Sequence, residues 1–183
     1  MRTHILPLIL LAVSPARAFA DTPTTKPNVT PDRQSLVVSS SAFSAGKEIP
    51  PKFTCDGKST APPLSWSNVP RGTQSIAVLV DDPDAPKGTF THWLVTGIPP
   101  TATALAEGGK LPQGAVAARN GKGSVGYTGP CPPSGRHRYL FRVFALDTVI
   151  PSPRDKDSLL QAIDGHVLAE GELIATYQKI TPP

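Results

Sequence analysis

The sequence has no apolar run of the roughly 20 residues that a membrane-crossing helix requires, so transmembrane anchoring is not expected. It has no concentrated basic stripe either. Its 18 Lys and Arg are scattered among 14 Asp and Glu, which argues against a nucleic-acid partner. Long helices are excluded almost everywhere by 22 prolines, because each removes a backbone donor and clashes with the preceding turn. Cysteine is scarce, with Cys55 and Cys131 alone, and no spaced Cys/His set suggests zinc or another metal. No Gly-x-Ser-x-Gly nucleophile turn occurs. Gly57-Lys58-Ser59 lacks the earlier glycine of a phosphate-binding P-loop. Ser44-Ala45-Gly46-Lys47 fits a Ser-x-x-Lys pattern, but its partner motifs are missing. No cofactor, no metal and no catalytic residue are expected.

What is present divides into three parts. Arg2 and His4 give a polar start, Ile5 to Val13 form an apolar run broken by Pro7, and Ala18-Phe19-Ala20 fits a small-residue cleavage site. Residues 1–20 therefore read as a secretory signal peptide, and the protein is expected to be exported, periplasmic or secreted. Losing Arg2 and Arg17 with that segment lowers the formal net charge from +4 to +2. Residues 21–35 hold three prolines and almost no large apolar group, so they cannot offset their ordering entropy by burial. They read as a flexible tether. Residues 36–183 are long enough for one domain with its own core. In an exported chain two cysteines permit a Cys55–Cys131 disulfide, the other reading being two separate buried thiols.

Within the domain, short apolar segments alternate with Pro/Gly turns. Leu36 to Val38, Leu64 to Trp66, Ser75 to Val80, Thr91 to Ile98, Arg138 to Leu146 and His166 to Lys179 read as strands. In the last, Val167, Ala169, Gly171, Leu173, Ala175 and Tyr177 share one face, a period of two. One helix is expected, capped by Asp155 or Asp157, running over Ser158 to Ile163 and closed by Gly165. The class is mainly β, a sandwich of antiparallel sheets.

Three clusters can carry chemistry. Asp81-Asp82-Pro83-Asp84-Ala85-Pro86 follows an apolar strand, where its carboxylates can organise an Asx turn or hold a neighbouring histidine. Thr91-His92-Trp93 opens the next strand. A hairpin would bring His92 beside the acidic loop, where a carboxylate would raise its pKa; the plainer alternative is a buried histidine bonded to backbone. Gly126 to Tyr139 is rich in Gly and Pro and fixes an extended loop whose N–H groups can approach a ligand. At its end His137, Tyr139 and Phe141 face one way, and Arg138 and Leu140 the other.

Together these clusters resemble the signature regions of the phosphatidylethanolamine-binding protein family. Phe53-Thr54-Cys55-Asp56-Gly57, Gly129-Pro130-Cys131-Pro132-Pro133 and His166-Val167-Leu168-Ala169-Glu170 further resemble its bacterial Raf-kinase-inhibitor-like branch. The likeness runs from about residue 37 to 180. It implies a large central antiparallel sheet, a smaller second sheet and a few short peripheral helices. It also implies a small cavity for phosphate-like anions, with Asp82, Asp84, His92, Gly129, Pro133, His137 and Tyr139 as ligand-binding positions. Pro86 and Arg138 would be structural, Arg138 pairing with Asp84. The export signal, and a shorter loop before His137 with a cysteine inside it, set the chain apart from eukaryotic members.

The leading functional reading is a non-enzymatic binding protein for a small anion or phospholipid head group, its affinity rising as the two histidines protonate. The alternative is an interaction protein that inhibits a kinase or protease. A hydrolase using Asp82, His92 and His137 stands last. The oligomeric state is left open, with a homodimer among the options.

Overall fold

The computed structural model describes residues 34–180. The signal-like segment 1–20 and residues 21–33 of the tether lie outside the described residues. Strands β1 (Gln34–Ser35), β2 (Val37–Ser39), β3 (Leu64–Ser67), β4 (Ser75–Asp82), β5 (Phe90–Ile98), β6 (Ala104–Leu105), β7 (Val116–Ala117), β8 (Arg136–Leu146) and β9 (Val167–Gln178) are joined mostly by turns. A helix α1 (Lys156–Ile163) interrupts the passage from β8 to β9. The end of the segment read as tether is thus corrected. Gln34 and Ser35 already pair with Ala169 and Glu170, and this pairing is parallel, unlike its neighbours.

A six-stranded sheet runs β1-β9-β8-β4-β5-β7, and a three-stranded sheet runs β2-β3-β6. The fold is mainly β, with a large and a small sheet as expected. The principal core fills the space between them. From the large sheet it takes residues such as Val78, Val80, Trp93, Tyr139, Phe141 and Leu173, and from the small sheet Val38, Leu64, Trp66 and Leu105. A second core lies on the other face of the large sheet, where Leu159 and Ile163 of α1 cover Ala77, Leu79, Leu94, Phe144 and Leu146. Strand β4 is therefore buried along all eight residues, which explains its nearly continuous apolar run. Strand β9 has only one face covered along most of its length, and the alternation read from sequence is its burial pattern.

Helix α1 starts where the sequence places its cap. Asp155 accepts a bond from the Ser158 N–H at 2.9 Å, and the Ser158 hydroxyl reciprocates toward the Asp155 backbone, forming a capping box. Among the described residues no helix is long and apolar enough to cross a membrane.

Candidate functional site

In the order β8-β4-β5 the central strand runs antiparallel to both neighbours. The C-terminal end of β4 therefore meets the N-terminal ends of β5 and β8. Asp82, His92 and His137 sit at those three ends and converge, although they are distant in sequence.

They line a cavity of about 190 Å³, together with Ala85, Pro86, Phe90, Lys122, Gly129, Cys131, Pro132 and Pro133. A wider groove of about 720 Å³ shares the wall formed by Ala85, Pro86 and Phe90. Among the described residues no group of three or more His, Cys, Asp or Glu is placed to hold a metal ion.

A β-bulge aims His92 into the cavity. Val80 pairs with Trp93, but the next residue, Asp81, pairs with Thr91, so His92 is an extra residue in β5. Strict alternation would put His92 opposite Trp93, on the face covered by α1. The bulge instead turns both toward the principal core. His92 meets Tyr139 edge-on at 5.2 Å between ring centroids, and Phe90 closes on its other side at 4.8 Å.

The two imidazoles have different partners. His137 Nδ1 donates to Asp82 Oδ2 at 2.8 Å, with both side chains nearly buried. His92 Nδ1 donates to the Thr128 carbonyl at 2.7 Å, and the Thr128 N–H returns a bond to the His92 carbonyl at 2.9 Å. The carboxylate expected beside His92 thus belongs to His137, and the backbone-bonded alternative for His92 holds. Burial pushes the His92 pKa down, and this outweighs the Thr128 hydrogen bond and the charges of Asp82 and Asp81 that would raise it. The expected upward shift is corrected on that ground. In each ring Nδ1 is engaged and Nε2 has no protein partner among the described residues.

Other expected positions are placed as follows. Asp82 serves both roles considered for it, since its Oδ1 also accepts the Asp84 N–H at 2.9 Å in an Asx turn. Asp84 is not on the cavity wall. Its carboxylate is taken up by Arg138 through bonds of 2.9 Å to Nε and 2.7 Å to the guanidinium, as the resemblance implied, and by the Arg138 backbone N–H. Pro86 and Pro133 line the cavity. Tyr139 stands behind the wall, fully buried behind His92, and among the described residues its hydroxyl has no hydrogen-bond partner within bonding geometry. Burial, reinforced by the Asp82 charge, pushes its pKa up.

Gly129 lines the cavity, but its N–H is not free for a ligand, because it donates to Ser59 Oγ at 2.6 Å. Glycine is required there by crowding. A Cβ would fall 2.8 Å from the Phe53 carbonyl oxygen and 2.6 Å from Ser59 Oγ. The loop is further tied to residues 53–59 by the Cys55–Cys131 disulfide, by Cys55 N–H to the Pro130 carbonyl at 3.0 Å, and by the Tyr127 hydroxyl to the Phe53 carbonyl at 2.8 Å.

A family model for phosphatidylethanolamine-binding protein matches residues 39–178. The chain belongs to the phosphatidylethanolamine-binding protein family. A UPF0098 protein of Methanothermobacter thermautotrophicus is 48% identical over 144 residues, 75% of this chain and 95% of that relative. Among solved structures, a homologue from Chlamydia trachomatis, CT736, is 42% identical, covers 80% of this chain and 99% of its own, and superposes with a TM-score of 0.75. Escherichia coli YbcL, a member of the same family, is 36% identical, covers 80% and 100%, and gives a TM-score of 0.74.

Sequence reasoning missed Phe90, Lys122 and Ser59. Phe90 lies two residues before His92, where strand alternation places both on one face, but the apolar run in the sequence marks the strand only from Thr91, one residue short of its observed start. Lys122 lies in a Gly-rich turn with no motif of its own. Ser59 was weighed only as part of a failed P-loop pattern, although its hydroxyl holds the cavity loop.

Proposed function

We propose that this family member is an exported, non-enzymatic binding protein whose cavity takes a small phosphate-like anion, free or as a head group. The observation that carries the reading is the pair of buried imidazoles on one 190 Å³ hollow, each anchored through Nδ1 and each with Nε2 unclaimed among the described residues. An imidazolium Nε2–H bound to an anion is a charge-assisted hydrogen bond worth about 1.5–3 kcal/mol. His92, its charged form disfavoured by burial, either accepts from a ligand hydroxyl or takes up a proton as the anion binds. Drug-sized ligands need roughly 300 Å³ or more, so the space suits a head group and not an acyl chain.

The test is a calorimetric titration of the folded protein with inorganic phosphate and with glycerophosphoethanolamine, comparing wild type with His137→Ala. The substitution is expected to weaken binding at least tenfold while the thermal midpoint shows a folded protein. Equal binding by both forms would remove His137 from the site.

A further inference from the structure

We propose that Lys122 makes this cavity select doubly charged phosphomonoesters over singly charged tetrahedral anions, phosphodiesters included. This rests on the cavity being an anion site.

The charges around the hollow support the assignment. Its wall holds one carboxylate, Asp82, and that group is matched by His137. Burial lowers the His92 pKa, which disfavours its charged form. Ala85, Pro86, Phe90, Gly129 and the prolines carry no charge. Lys122 is the remaining ionic side chain on the wall, and among the described residues it makes no ion pair. Its charge is also felt inside, being one of the influences that lower the His92 pKa. Asp82 and His137 face each other at 2.8 Å, so the uncompensated charge of the wall is that of Lys122, and its attraction grows with the ligand's own negative charge.

The turn that carries Lys122 is built to hold it there. Buried Asn120 accepts the Lys122 N–H at 2.9 Å and the Ser124 N–H at 3.3 Å through Oδ1, and donates through Nδ2 to the Gly126 carbonyl at 2.9 Å. The Gly121 N–H bonds the Thr91 carbonyl at 2.8 Å, one residue from His92. Gly121 lies flat on the Phe90 ring, where a Cβ would come within 2.6 Å of a ring carbon. The turn is thereby seated on the same aromatic wall that closes the cavity. The Lys122 side chain is left to extend, and a long stem with an ammonium tip suits a contact made with the ligand's outer oxygens.

Three small probes separate charge from shape: methyl phosphate, methyl sulfate and dimethyl phosphate. Methyl sulfate has nearly the shape of methyl phosphate with one charge fewer. At pH 8 wild type is expected to bind methyl phosphate at least tenfold more tightly than either other probe. Lys122→Gln should cut that preference below threefold, methyl phosphate losing more affinity than either other probe, with the thermal midpoint unmoved. Lys122→Arg should keep the preference. Lys87→Gln, on the neighbouring groove, should change no affinity by more than twofold. A preference that survives Lys122→Gln, or that Lys87→Gln erases equally, overturns the assignment while leaving the anion site standing. Wild type that binds none of the three probes overturns the anion site and this inference with it.

Discussion

Asp81, Asp82 and Asp84 are the same chemical group within four residues, yet each has different partners. Asp82 holds His137, Asp84 holds Arg138, and Asp81 turns to the opposite side of the sheet. The side-chain bonds from Arg138, then its backbone N–H, lower the Asp84 pKa to about 2. The folded-state value lies below the unfolded one, so this contribution is present above the ordinary carboxylate pKa near 4 and is lost as pH falls through about 2. Urea denaturation at a series of pH values should show stability falling between about pH 4 and pH 2, and Asp84→Asn should flatten that limb. The Asp84–Arg138 pair was legible in the sequence because the resemblance supplied it. The partner of His92 was not, because proximity along a hairpin does not say which of two rings a carboxylate will face.

At the scale of the element, legibility depended on how many faces a strand buries. Strand β9 keeps one face mostly wet, so its period of two was readable residue by residue. Buried on both faces, β4 loses its alternation, though its apolar run still marked it. The two-residue strands β1, β6 and β7 are too short to show a period. The bulge at His92 left no mark either, since the residues around it read as an ordinary strand. Behind that bulge, buried Asp81 receives Arg142 at 2.7 Å, Lys156 of α1 at 3.1 Å and the Thr91 hydroxyl at 3.0 Å. This cluster ties the start of α1 to the sheet. Removing its only negative charge leaves two cations facing each other, so Asp81→Asn should cost about 3 kcal/mol in chemical denaturation. A cost below about 1 kcal/mol would mean that helix packing through Leu159 and Ile163 holds α1 without the ionic cluster.

For the molecule as a whole, ordered motifs fixed the family, while the assembly of sheets had to come from coordinates. Strand order β8-β4-β5 is what brings residues 82, 92 and 137 to one edge, and spacing in the chain gives no measure of it. The pairing of Cys55 with Cys131, left open beside separate thiols, is present in the structure across 76 residues. In the chain-entropy model a loop of that length is worth roughly 4 kcal/mol. Cys131→Ser is expected to lower unfolding free energy by ~2–4 kcal/mol, read from denaturant midpoints. It should also weaken phosphate binding, because Cys131 is itself part of the cavity wall.

The same sulfur link has a consequence for damage. Asp82 and His92 lie inside the covalent ring it closes, and His137 lies outside. A protease that nicks the backbone once between residues 56 and 130, for instance at the exposed Glu107–Gly108 turn, leaves one connected molecule and not two fragments. The broken ends stay tethered beside their old neighbours, so a scissored copy can still present both imidazoles together.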